Sequence, residues 1–288
     1  MNLYNYRVVA ANEKKCEKFF QRLRFPKGVL CPCCGSKKIW SYNKDGKHRW
    51  KCRGCRYDFS LLTGTPISGT KLPLSKWVFA IGLFKVGISA HALMSEISVT
   101  YKVAWNMMHI IRSVLPQDEI FGKLEGEIEM DESYDGGKRK GTRGRGAAGK
   151  KIVVGFKERN GKKRVRTVQV MNVKTDVLRS LIREHTIPEG RRILADTTSM
   201  GKKLKKEGIV NDLIDHSEAY TFGDVHTQGI EGYWGHRKPK LTATYRKTSP
   251  KHHQSYLDEH AFKTNLPKDS DFMLILLQKL VPAVYNAG

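Results

Sequence analysis

The chain has 288 residues, 40% of them hydrophobic, with 52 Lys and Arg against 28 Asp and Glu, a formal net charge of +24. That apolar share excludes a disordered chain and allows one large domain or two to three small ones. No run of about 18 apolar residues occurs and the amino-terminal stretch lacks a signal-peptide apolar core, so a cytosolic or at least intracellular chain is expected. The basic excess is spread along the chain, which makes a polyanion, nucleic acid first, the expected partner.

Residues 12–25 (NEKKCEKFFQRLRF) read as a short amphipathic helix capped by Asn12, with Phe19, Phe20 and Leu23 as its apolar stripe. All six cysteines fall between positions 16 and 55, and in a reducing compartment such clustering indicates metal before disulfides. Cys31 and Cys34, then Cys52 and Cys55, form two C-x-x-C knuckles 17 residues apart, the spacing of a four-cysteine zinc ribbon. Four thiolates leave no open coordination position, so the zinc is expected to be structural. The intervening segments form a hairpin around Asp45-Gly46. Cys33 reads as a bystander, His48 as an exposed strand residue and Cys16 as a small packed side chain.

Residues 74–84 are apolar at helical spacing with a serine at the cap, Ser89 to Ile97 forms a shorter helix, and Thr100 opens a third. The second and third, joined by Ser98-Val99, resemble a helix-turn-helix whose recognition face would be Thr100, Tyr101, Lys102 and Asn106. An ordinary helical packing unit without groove contact is the other reading. Met107 and Met108 are assigned to the core.

The stretch Leu124 to Gly137 carries six carboxylates within eleven residues of a strongly basic chain. Alternation over Glu127-Ile128-Glu129-Met130-Asp131 predicts a strand with acids on one face, and Gly136-Gly137 ends it. Such a face is either solvated or offset by metal or Lys and Arg. The basic, glycine-rich run 136–151 follows, with Lys138, Arg139, Lys140, Arg143 and Arg145 as candidate phosphate contacts. Strands are expected over 151–156 and 164–170 around Asn160-Gly161, a helix over 174–185, and a short strand over 192–195 ending at Asp196. Three antiparallel strands, then strands alternating with helices, open a ribonuclease-H-like sheet. In that sheet one carboxylate sits on the first strand and another just after the fourth, the places of Asp131 and Asp196. Glu231, 35 positions on, supplies a third acid on a later helix, with Lys238 two turns further along the same face. Taken singly, Asp196 also reads as a helix cap and Glu231 as a surface partner of Lys238.

These residues together resemble the zinc-ribbon transposases of bacterial insertion sequences of the ISXO type, relatives of the eukaryotic Merlin elements. The likeness runs from about residue 15 to 265. It includes the cysteine knuckles, the segments 59–65, 73–77 and 87–90, Met130-Asp131-Glu132-Ser133-Tyr134, Gly144-Arg145-Gly146, His226-Thr227 with Ile230-Glu231, Ser249 with Lys251-His252, and Tyr256 to Glu259. The resemblance implies a triad of Asp131, Asp196 and Glu231 holding Mg²⁺ or Mn²⁺, with Lys238 as the basic residue after the glutamate. It further implies a DNA transposase that binds terminal inverted repeats, cleaves strands and transfers them into target DNA as a homodimer or higher assembly. A transposase-derived DNA-binding protein that no longer cuts is the alternative. The chain departs from the family pattern at Thr197-Thr198, at Gln228 and at Pro239, which falls where an unbroken helix is expected. The location would be cytoplasmic and nucleoid-associated in a bacterium, nuclear in a eukaryote.

The expected architecture is multidomain α+β. An amino-terminal helix and zinc ribbon occupy 1–65, a helix-turn-helix-like region 66–123, a ribonuclease-H-like catalytic domain 124–266 and a helical tail 267–288.

Overall fold

The computed structural model describes residues 3–136, 150–197, 199–214 and 226–284. The chain divides into two compact units, Met1–Val114 with Lys268–Gly288, and Leu115–Pro267.

In the first unit, α1 (Leu3–Ala10) and α2 (Glu13–Arg24) precede the three-stranded sheet β1 (Ile39–Lys44), β2 (Lys47–Cys52) and β3 (Asp58–Phe59), in the order β1-β2-β3. Asn12 caps α2 as expected, its side chain accepting from the Lys14 amide at 2.9 Å. Asp45, in the left-handed region, and Gly46 turn the antiparallel hairpin, which pairs Ile39 with Cys52 and Lys44 with Lys47. Helix α3 (Leu74–Val86) buries Leu74, Trp77, Val78, Ala80, Ile81 and Phe84, too wide a stripe for one covered side. Such a helix needs partners around it. α1, α5 (Tyr101–Ser113) and α10 (Phe272–Leu280) provide them, α10 bringing Phe272 to 6.4 Å from Phe84 between ring centroids. The serine expected to cap α3 does not do so. Pro73 is the cap residue, and the Glu13 carboxylate of α2 accepts from the Leu74 and Ser75 amides instead. The carboxyl-terminal segment is tied to this unit, the Arg24 carbonyl accepting from Val284 N–H at 2.8 Å and Asp271 accepting from the Tyr6 hydroxyl at 3.1 Å. α4 (Ala90–Glu96) packs on α5, joined by a turn in which Ser98 takes a positive φ of 49°.

The second unit is a five-stranded mixed sheet ordered β6-β5-β4-β7-β8, comprising β4 (Glu127–Asp135), β5 (Lys151–Glu158), β6 (Val165–Val170), β7 (Arg192–Asp196) and β8 (Asp212–Ile214). β4 to β6 are antiparallel neighbours, whereas β7 and β8 run parallel to β4. The acidic alternation of β4 works as a two-sided strand. Ile128 and Met130 face a core with Val154, Phe156 and the inward residues of α6 (Thr175–His185) and α7 (Ser199–Lys206). The acids face α8 (Gln228–Tyr245), whose Ile230, Tyr233 and Trp234 pack with Val153, Val165 and Leu257 of α9 (Pro250–Asn265). Strand β8 and helix α9 are elements that the periodicity of the chain did not announce. Pro239 lies inside α8 without ending it. No helix of the described residues is long and apolar enough to cross a membrane.

Candidate active site and zinc centre

The four predicted zinc ligands converge. The Sγ atoms of Cys31, Cys34, Cys52 and Cys55 all lie within 4.8 Å of one another, with Cys31 to Cys55 at 3.5 Å and Cys34 to Cys52 at 3.6 Å. A tetrahedron with Zn–S bonds near 2.3 Å has S···S edges of about 3.8 Å, so the thiols already span the shape of a structural zinc. The backbone N–H groups of Cys55 and Gly54 hold the Cys52 thiol down at about 6 against the effect of burial, whereas burial pushes the Cys31 thiol up to about 12. Cys33 is exposed and Cys16 buried, outside the cluster. Replacing one ligand should therefore unfold the ribbon. Cys52→Ser is expected to reduce bound zinc from about one per chain to a small fraction, measured by atomic absorption. A retained full equivalent would remove Cys52 from the ligand set.

In the second unit the site grows from the register of β4. Met130 pairs with Ala195 across the parallel β4–β7 ladder, so Asp131 and Asp196, one step further on each strand, stand side by side. Both line a cleft where β7 ends beside the middle of β4, with Glu132 and Gly201. A Cβ at Gly201 would come within 2.4 Å of the Asp196 carbonyl oxygen, so glycine lets α7 close over that edge. Asp131 is anchored twice, its Oδ1 accepting from the Glu132 amide at 2.7 Å and its Oδ2 from the Trp234 indole Nε1–H at 2.9 Å. Trp234 can reach it because Gly155, paired with Asp131 across β4–β5, has no side chain. A Cβ there would lie 2.4 Å from the indole ring. Burial, with the charges of Glu132 and Glu231 adding to it, raises the Asp131 carboxyl to about 6 although both hydrogen bonds oppose this. A cation placed between these carboxylates would relieve that repulsion, and an all-oxygen donor set suits a hard divalent ion.

Glu231 sits in the first turn of α8, exposed, with one carboxylate oxygen accepting from the Thr227 hydroxyl at 2.8 Å. Among the described residues, the cysteines are the one group of three or more potential ligands with all donor atoms within 4.8 Å of one another. The oxygens of Asp131, Asp196 and Glu231 are thus not drawn to a single point in this structure. Lys238 is exposed, within electrostatic reach of Asp135 and Asp131.

A row of β4 side chains that sequence reasoning did not single out holds α8 in place. Glu129, 2% exposed, accepts from the Ile230 amide at 2.7 Å and is flanked by Arg159 and His226. Gly229 passes so close that a Cβ would stand 2.8 Å from the Glu129 carboxylate. Further along, the fully buried Arg237 guanidinium pairs with Asp135 and donates to Ser133 Oγ at 3.2 Å, and His253 of α9 lies 2.8 Å from Asp135. From Glu129 on, every second residue of β4 thus meets α8: Glu129 with Ile230, Asp131 with Trp234, Ser133 and Asp135 with Arg237. The alternating acids in β4 were the visible signal. Their partners, about 100 residues away, carried none.

Of the candidate recognition face, Tyr101, Lys102 and Asn106 are exposed, and the Thr100 hydroxyl caps α5 by accepting from the Val103 amide at 3.4 Å. Lys138, Arg139, Lys140, Arg143 and Arg145 lie outside the described residues.

Two family models match the chain. The ISXO2-like transposase domain covers residues 123–265, and the transposase zinc-ribbon domain covers residues 11–58. The first encloses β4 to α9 with all three acids, and the second encloses the four cysteines. Comparison with curated proteins found no match.

Proposed function

Since the chain belongs to the zinc-ribbon transposases of the IS1595 type, we propose that it binds the terminal inverted repeats of its own element, cleaves DNA strands there and joins them to target DNA. The observation that carries this is the placement of Asp131 and Asp196 side by side just past the last pair of the parallel β4–β7 ladder, with a helix that bears Glu231 and Lys238 packed on β4. The strand order, with three antiparallel strands followed by two parallel ones reached through helices, supports a ribonuclease-H-like reading of this unit.

Asp131, Asp196 and Glu231 are the residues that would hold Mg²⁺ or Mn²⁺. Bound divalent ions supply Lewis-acid stabilisation of the scissile phosphate and lower the pKa of the attacking hydroxyl or water. The chain's own residues do the positioning. Trp234 fixes the direction of the Asp131 carboxylate, and Thr227 holds Glu231 in the first turn of α8. Glu129 keeps the start of that helix on the strand that bears Asp131. Lys238, together with Lys138, Arg139, Lys140, Arg143 and Arg145, would grip backbone phosphates, which orients DNA without reading its sequence. The helix pair, with Tyr101, Lys102 and Asn106 outward, and the ribbon are the readers of the element ends. Joining two ends in one event calls for a dimer or larger assembly.

The reading is tested with purified protein and labelled duplexes that carry the repeats flanking its coding sequence. Nicked and joined products should form in Mg²⁺ or Mn²⁺ and vanish in EDTA. End-selective binding with no cleavage in either metal would replace this reading with that of a transposase-derived protein that binds without cutting.

A further inference from the structure

The zinc ribbon has two faces, and its hydrophobic cluster accounts for one. Phe25, Cys31, Trp50, Cys52 and Phe59 form that cluster on the inner face of the sheet. On the other face the register sets Trp40 opposite Lys51 and Tyr42 opposite Arg49, with Asp58 next to Lys51 on β3. Trp40 is 53% exposed, although a tryptophan buries more apolar area than any other side chain when it can. It stacks on Tyr42 with ring centroids 5.2 Å apart and planes 18° from parallel. Tyr42 is itself held, its hydroxyl donating to Asp58, which also binds Arg49 Nε at 2.9 Å. The platform is therefore stacked, and anchored on its Tyr42 side, before anything binds it. Around its outer edge runs a cleft lined by Trp40, Lys51, Arg53 and Arg56. None of these three cations is in an ion pair among the described residues.

A flat, pre-stacked aromatic surface rimmed by unpaired cations matches the chemistry of a nucleotide whose base is free to stack and whose phosphate needs neutralising. In an intact duplex the base faces are covered by their neighbours, so such a platform gains little there beyond charge attraction. We propose that the outer face of the ribbon, centred on Trp40 and Tyr42 with Lys51, Arg53 and Arg56, binds unpaired nucleotides of single-stranded DNA, as exposed at a nicked or frayed element end. The proposal shares with the preceding reading only that the ribbon meets DNA. A wild-type chain that binds no DNA at all would sink that reading, whereas a wild-type chain that binds duplex but not oligo(dT) would sink this one alone.

The full-length chain is titrated into fluorescein-labelled oligo(dT), oligo(U) and a blunt duplex of equal length, with fluorescence anisotropy as readout and zinc content measured alongside. Trp40→Ala is expected to weaken oligo(dT) binding about tenfold while leaving duplex binding within about twofold, and Trp40→Phe to retain most of the oligo(dT) affinity. Equal losses on oligo(dT) and duplex, or no loss on either, would overturn the platform. Tighter binding of oligo(U) than of oligo(dT) would overturn the assignment to DNA. A Trp40→Ala chain that sediments as a smaller assembly with unchanged oligo(dT) affinity would show that a second copy of the protein covers this face instead.

Discussion

Asp131→Asn should reduce strand transfer by roughly 10²- to 10³-fold, the scale on which an enzyme loses a single dedicated stabiliser of transition-state charge. Binding to element ends should stay within about twofold, because the phosphate and base contacts proposed for this chain lie on other residues. The substitution isolates charge from shape. The amide occupies nearly the same volume beside Trp234, whose seat over Gly155 is kept, and its one oxygen can still accept from the indole or from the Glu132 amide, though no longer from both. What is lost is the negative charge beside Asp196 and Glu231, and with it the capacity to hold a divalent cation. Gel assays for joined products and for end binding, run on the same preparation, separate the two effects. Strand transfer at the wild-type level would take Asp131 out of the mechanism.

The second large effect is on stability. Arg237 is fully buried and holds Asp135 in a pair to which His253 adds a third member. Burial works to raise the Asp135 carboxyl, but the hydrogen bond from His253 and the Arg237 pair outweigh it and keep the carboxyl well below the usual carboxylate range. Arg237→Met keeps the aliphatic bulk and removes the charge. The buried carboxylate left behind should destabilise the 115–267 unit by about 3–5 kcal/mol at neutral pH. Hydrogen exchange in β4 and α8 reads this directly, since amides protected only by global opening of the unit should exchange roughly a hundredfold faster or more. The pH dependence has a definite sign. In the wild type the depressed Asp135 value contributes stability that is present above about pH 4 and is lost as pH falls toward the folded value. Once Arg237 is gone, burial raises the carboxyl, which can neutralise by taking up a proton. The gap between variant and wild type should accordingly narrow as pH is lowered through the carboxylate range. A gap that stays constant from pH 7 to pH 4 would mean that Arg237 stabilises by packing against Trp234, whose ring centroid lies 4.7 Å from its guanidinium carbon, and not by its charge.

The parts of the molecule that were legible in advance are those whose physics is local. Two C-x-x-C knuckles state a four-thiolate site because each places both sulfurs on one tight turn, and the hairpin between them is written in Asp45-Gly46. The alternation from Glu127 to Asp131 separates an apolar face from an acidic one, and the structure keeps that separation, with Ile128 and Met130 in the core and Glu129 and Asp131 bonded to α8. The likeness to a transposase family was legible in the ordered run of short motifs, and the two family matches agree with it.

Other features depended on residues far apart in the chain. The cap of α3 comes from Glu13, about sixty positions earlier, in place of the adjacent serine. Helix α10, which reads alone as an apolar tail, belongs to the first unit because α3 is apolar on more than one side and needs a further partner.

By itself the chain determined its zinc ligands, its acidic strand and the order of its three candidate carboxylates, because spacing and alternation act within a few residues. Only the tertiary structure decided that Asp131 is gripped by Trp234, that Gly155 makes room for that grip, and that Glu129 and Arg237 pin α8 to β4. Each of these contacts joins residues about 80 to 100 positions apart, and its geometry exists only once the sheet register and the packing of α8 across it are both in place.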